Sequence, residues 1–216
     1  MTHGRHFSNI LVCFSFLILC SCNTSFARIE DNSMEPTLVS GDIIKIRSFR
    51  PNEALLSKVI VFYFPYGTFG SDYVVDEANV YIKRCVACAG DSISIKNGVV
   101  YCNNTEVLGE PIGVKQLDLS DTHVITNRPG YRIDNRYNMS DIYVPRKGDC
   151  ISLNEQTIHL YKRIINWESG LLPRIGSSYT FLKDYYFVCG DNMDYSWDSR
   201  FWGFVPAPYI IGVSDK

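Results

Sequence analysis

Residues 90–102 read GDSISIKNGVVYC, and this stretch decides the fold class. Ser92 to Lys96 alternates polar and apolar side chains, the period of a half-buried strand. Asn97-Gly98 supplies the positive φ angles of a tight two-residue turn. Val99 to Cys102 returns in β-branched and aromatic residues, which suit a pleated surface. The stretch predicts a β-hairpin. Moving outward, Gly41-Asp42 opens IIKIRSF and Gly148-Asp149 opens CISL. Lys58–Phe64 (KVIVFYF), Val80–Val86 (VYIKRCV) and Tyr185–Cys189 (YYFVC) are further short runs with strand character. The Gly-Asp openings are irregularly spaced, so they are reused turn chemistry rather than a repeat. One stretch, Asn154 to Trp167, has helical spacing, with Ile158, Tyr161, Lys162 and Ile165 on one face. The expected fold class is mostly β, built from antiparallel sheet.

The bulk composition narrows the function. A length of 216 residues suits one folded unit of one or two subdomains plus a short leader. A net charge of −2 without a basic block gives no sign of nucleic-acid binding. Eight cysteines occur: Cys13, Cys20 and Cys22 near the N-terminus, then Cys85, Cys88, Cys102, Cys150 and Cys189. The last five are an odd number, and no particular disulfide is predicted. Cys85 and Cys88 form a C-x-x-C, but no second pair or nearby His completes a metal set. The plain reading is small apolar filler on a buried strand. No metal and no cofactor are expected.

Asn9 to Cys22 reads NILVCFSFLILCSC, apolar and uncharged, with Arg5 and His6 before it. As a helix it spans ~21 Å, against ~30 Å of hydrocarbon layer. Extending it from Phe7 to Ala27 brings the length closer. Three readings stay open: an uncleaved anchor, a lipoprotein signal at Leu19–Cys22, and a signal peptide cleaved after Ser25-Phe26-Ala27. All three export residues 28–216.

Hydrolytic chemistry needs an activated nucleophile, and a serine hydroxyl needs a base to take its proton. The chain holds four histidines, His3, His6, His123 and His159, none within a motif. The sequence therefore offers no histidine placed for a Ser-His-Asp triad. Lysine can replace histidine where burial lowers its pKa. Lys83 lies in YIKRCVACAGD, and on a strand it shares a face with Tyr81 and Cys85. Taken alone, Lys83 reads as a solvated lysine on an edge strand, and Ser33 as part of a chance turn.

Three strings reverse that reading: SMEPTL (33–38), YIKR with AGD (81–91), and GDNMDYSWDSRFWGFVP (190–206). In this order they resemble the type I signal peptidases, membrane serine proteases with a Ser/Lys dyad. The resemblance implies an antiparallel β catalytic core at 28–102 and 181–216, an inserted second domain at 103–180, and a membrane segment at 1–27. It implies Ser33 as nucleophile and Lys83 as general base. Ser196 would hydrogen-bond and orient Lys83, Asp198 would pair with Arg200, and Arg84 would join that network. Met34, Leu38, Tyr81 and Ile82 would border a pocket for small side chains. The substrates implied are precursors bearing signal peptides, cut after small residues in an Ala-x-Ala-like pattern. The partners are those precursors and membrane lipid, at the outer face of the plasma membrane. Oligomeric state is left unassigned.

One position departs from the pattern. Many members place a serine hydroxyl two residues before the nucleophile as an oxyanion donor, beside the nucleophile's own N–H. Here that residue is Asp31, which accepts hydrogen bonds and repels an oxyanion when ionised. The expectation is that Asp31 slows the enzyme or narrows its substrates. Other readings are a peptidase dedicated to one precursor, and an exported, catalytically silent binding module of the same fold. A self-cleaving repressor is disfavoured, because no DNA-binding helix pair precedes Ser33.

Overall fold

The computed structural model describes residues 24–65, 76–109 and 137–214 of the chain. Thirteen strands and two α-helices are described: β1 Thr24–Arg28, β2 Ile43–Ser48, β3 Val59–Phe64, β4 Asp76–Ala87, β5 Ser92–Lys96, β6 Val99–Cys102, β7 Thr105–Leu108, β8 Met139–Tyr143, β9 Cys150–Ser152, α1 Glu155–Ser169, β10 Ser178–Thr180, β11 Tyr185–Cys189, α2 Ser199–Trp202, β12 Val205–Pro206 and β13 Ile210–Ser214. The main sheet runs β1-β2-β13-β3-β4-β11-β12, with every neighbour antiparallel. A four-stranded sheet runs β7-β6-β5-β8, and β9 pairs with β10.

The turns form as the sequence implies. Asn97 and Gly98 adopt φ of 51° and 84°, closing the β5–β6 hairpin. Asn103 and Asn104 do the same at φ of 50° and 64°, turning β6 into β7. The three Gly-Asp openings are one device. Gly41, Gly90 and Gly148 sit at φ of 98°, 93° and 91°, and the following Asp N–H donates to Val39, Cys88 and Arg146 carbonyls at 3.0 Å each. A type II turn needs positive φ at its third residue, hence glycine.

Two findings correct the sequence reading. Helix α1 begins at the Asn154 cap, whose side chain accepts from Gln156 and Thr157 N–H groups. Its buried residues are Tyr161, Ile164 and Ile165, so the face is rotated away from Ile158 and Lys162. Lysine keeps its ammonium in water, and Ile164 takes the inward place. Second, Thr24–Ala27, counted above with the leader, form β1 on the edge of the main sheet, with Ala27 buried. The remaining leader, residues 1–23, lies outside the described residues. No helix among the described residues is long and apolar enough to cross a membrane.

Apolar packing divides into two clusters. The larger includes Ile60 and Phe62 of β3, Cys85 of β4, Ile93 and Ile95 of β5, Tyr161 of α1, and Phe187 of β11. The smaller gathers Ala27, Ile29, Met34, Leu38, Ile44, Ile46, Val59, Val61 and Val80. Strand β3 therefore buries alternate residues in each, as a central strand covered on both faces must. The four-stranded sheet joins β5 and β6, from before residue 103, to β7 and β8 from within 103–180.

Candidate active site

Ser33 sits in the loop between β1 and β2. The neck of this loop is closed by Ile29 N–H to the Asp42 carbonyl and Gly41 N–H to the Ile29 carbonyl, both 2.8 Å. Leu38 N–H donates to the Met34 carbonyl at 2.9 Å, and both side chains are fully buried in the smaller cluster. The apolar residues thus anchor the loop and leave Ser33 at its turn. The Glu35–Pro36 peptide is cis.

The residues after β11 support this loop from beneath. Asn192 donates from its N–H to the Ser33 carbonyl at 3.0 Å and from Nδ2 to the Asn32 carbonyl at 2.9 Å. Thr37 Oγ1 donates to Asp191 Oδ2 at 2.5 Å. Arg84 on β4 grips the same carboxylate, Nε to Oδ1 at 2.7 Å and Nη2 to Oδ2 at 2.5 Å. A Cβ on Gly190 would lie 2.4 Å from the Ser33 carbonyl oxygen and 2.3 Å from Ser196 Oγ. Only glycine lets the backbones approach so closely.

Lys83 stands opposite Ile60 in the β3–β4 ladder, and Tyr81 opposite Phe62. The Lys83 Nζ donates to Ser33 Oγ at 2.6 Å and to the Ile82 carbonyl at 2.9 Å. It lies 5.6 Å from the Tyr81 ring centroid. Lys83 is 3% exposed. Burial pulls its pKa below the ordinary lysine value; the charges of Asp31, Asp198 and Asp191 push it back, and burial prevails. A larger neutral fraction follows, which general-base chemistry requires.

Asp31 has a direct role in this geometry. Its Oδ1 accepts from Ser33 N–H at 2.9 Å and from Ser33 Oγ at 2.8 Å. The Ser33 hydroxyl therefore lies between an amine and a carboxylate. The Ser33 N–H, the first candidate oxyanion donor, is already engaged by Asp31.

Asp198 and Arg200 are both fully buried and form a two-pronged pair, Nε to Oδ1 at 2.8 Å and Nη2 to Oδ2 at 2.9 Å. Asp198 also accepts the Gly190 N–H at 2.9 Å, and Arg200 Nη2 donates to the Met193 carbonyl at 2.7 Å. The pair thereby holds the segment beneath Ser33. Removing two charges from water is tolerable here because each meets several partners.

Two expected contacts are absent. Among the described residues Ser196 Oγ is buried without a hydrogen-bond partner and makes no bond to Lys83, whose amine is taken up by Ser33 and Ile82. Arg84 does not join Asp198 and Arg200. It pairs opposite Cys189 in the sheet, so Asp191, two residues onward, is the carboxylate within reach. The four pocket residues also divide. Met34, Leu38 and Ile82 belong to the smaller cluster, while Tyr81 stacks on Phe64 at 4.7 Å on the opposite face. Thr37, Gly190, Asp191 and Asn192 were not singled out from the sequence. Their signal was present, since they lie inside SMEPTL and GDN. Among the described residues, no group of three or more metal-ligating side chains is placed to hold an ion.

The family described as "Signal peptidase, peptidase S26" matches residues 5–215. A signal peptidase I of Aquifex aeolicus is 27% identical over 206 residues, covering 85% of this chain and 71% of that protein. A signal peptidase I of Buchnera aphidicola subsp. Baizongia pistaciae is 25% identical over 217 residues, covering 86% of this chain and 66% of that protein. Among solved structures, a signal peptidase I from Enterococcus faecalis V583 aligns over 75% of this chain and 97% of its own, at 18% identity and a TM-score of 0.35. With the family match running over nearly the whole chain, this protein belongs to the signal peptidase family, peptidase S26.

Proposed function

We propose that this protein is a type I signal peptidase that works by a Ser33/Lys83 dyad. The observation that carries the reading is the 2.6 Å contact between a buried lysine amine and the Ser33 hydroxyl. Neutral Lys83 takes the Ser33 proton as Oγ attacks the scissile carbonyl. The amine of the mature protein departs with that proton, leaving an acyl-enzyme. Lys83 then activates water, which releases the signal peptide and restores the serine. Ser33 N–H is the candidate donor to the oxyanion, after substrate displaces Asp31 from it. Met34, Leu38 and Ile82 back the cleft that takes small side chains. Residues 1–23 hold the enzyme at the membrane, with the folded part outside, where exported precursors emerge.

The test compares wild type, Ser33→Ala and Lys83→Ala in detergent or lipid, on a precursor with an Ala-x-Ala site. Cleavage by wild type that both substitutions abolish is the expected result. Cleavage that survives Lys83→Ala removes the base. A second reading, a silent binding module, draws on the engagement of Ser33 by Asp31. It requires that wild type cleaves no precursor and that Asp31→Ser does not restore cleavage.

A further inference from the structure

We infer that Cys85 and Cys88 form a dithiol modification site, which a small-molecule disulfide converts into a Cys85–Cys88 bond within the strand that carries Lys83. Residues three apart on a regular strand face opposite sides and lie roughly 10 Å apart. Here the two Sγ atoms are 3.9 Å apart. The cause is a register shift. Phe187 pairs with Ala87 and Val188 with Cys85, so Val86 is an extra residue in β4. Such a bulge bends the strand and reverses the alternation beyond it. The turn that follows, from Cys88 to Asp91, then fixes Cys88, whose N–H donates to Asp91 Oδ2 at 2.8 Å.

The two thiols differ in the way a stepwise exchange needs. Cys88 is partly exposed and Cys85 is buried. The Cys85 thiol and the backbone N–H groups of Leu55 and Leu56 favour the Cys88 thiolate, against burial and the Asp91 charge, and lower its pKa. Burial, above all, raises that of Cys85. The Cys88 thiolate attacks one sulfur of the oxidant, forming a mixed disulfide and expelling one thiolate. Cys85 then loses its proton to solvent and attacks the Cys88 sulfur, expelling the second thiolate. One oxidant disulfide is reduced to two thiols for each Cys85–Cys88 bond. Cys102 is the nearby competitor, but burial and Asp91 push its thiol up to about 12.

The readout does not depend on peptidase activity. The full-length protein is incubated with oxidised glutathione, alkylated in denaturant and digested with trypsin. Cleavage after Arg84 and Lys96 gives a peptide, 85–96, whose only cysteines are Cys85 and Cys88. That peptide is expected to be lighter by two hydrogens and to resist alkylation until reduced. Cys85→Ser is expected to trap the glutathione adduct on Cys88, and Cys88→Ser to leave Cys85 alkylatable. A doubly alkylated wild-type peptide, a stable glutathione adduct in wild type, or a bond from Cys88 to Cys102 would overturn the proposal.

Discussion

Replacing Asp31 with serine is expected to accelerate the enzyme. In the resting site one carboxylate oxygen holds both the N–H and the hydroxyl of Ser33. A substrate carbonyl can use that N–H only when Asp31 swings away. Hydrogen bonds to a charged group contribute about 1.5–3 kcal/mol each. Asp31 is exposed, so water recovers much of that when it leaves. A net cost of about 1.4 kcal/mol for displacement corresponds to roughly tenfold in rate. Asp31 also raises the pKa of Lys83, in opposition to burial. Its loss enlarges the neutral fraction of the Lys83 amine at a given pH. Both effects act in one direction, so kcat/KM should rise about tenfold. The acidic limb of its pH profile should also move to lower pH. The assay is cleavage of a peptide with an Ala-x-Ala site across a pH series, with Asp31→Asn separating charge from shape. An unchanged or lower kcat/KM in folded Asp31→Ser would refute the reasoning and make Asp31 a holder of Ser33 instead.

Other substitutions test the supports. Gly190→Ala drives a methyl into the Ser33 carbonyl and Ser196; a loss of about 1–3 kcal/mol in denaturant unfolding is expected, with loss of cleavage. Arg200→Met leaves Asp198 buried and unpaired, for which about 3–5 kcal/mol is expected by the same measurement. Glu168 accepts from the Tyr179 and Tyr185 hydroxyls at 2.8 and 2.9 Å. Glu168→Ala should cost about 1–3 kcal/mol without changing the pH profile of cleavage. Lys83 also predicts a slope in stability. Its folded pKa lies below its unfolded one, so between the two values the unfolded chain binds more protons and stability rises with pH. Unfolding curves should show this rise in wild type, with the slope reduced in Lys83→Met.

Much of the fold was legible from short-range patterns. Strands β2, β5, β6 and β9 lie where alternation and turn residues place them, and β3 and β11 where short apolar runs do, because all of these are local properties. Strand β13 was not legible. It is a short apolar run near the C-terminus, yet it lies between β2 and β3 in the interior of the main sheet. Gly212 makes the fit possible, since a Cβ there would meet the Arg47 carbonyl and Ile46 at 2.5 Å. No local pattern announces a partner well over a hundred residues away in sequence. Edge strand β1 was missed for a related reason, because its residues continue the apolar leader.

The residues proposed for the chemistry could be named because their strings resemble those of the signal peptidases. Their connections could not. Whether Arg84 reaches Asp191 or Asp198, and whether Lys83 bonds Ser196 or Ile82, depends on strand register and on which groups arrive first at a hydrogen-bonding distance. The sequence alone determined a mostly antiparallel β protein, because turns and alternation are written locally, and the likeness of its motifs to the signal peptidases singled out Ser33 and Lys83 as candidates. The tertiary structure alone decided that Asp31 engages Ser33, that Asp191 ties β4 to the Ser33 loop, and that a bulge brings Cys85 to Cys88. Each of these rests on a few ångströms of packing between segments that no local rule relates.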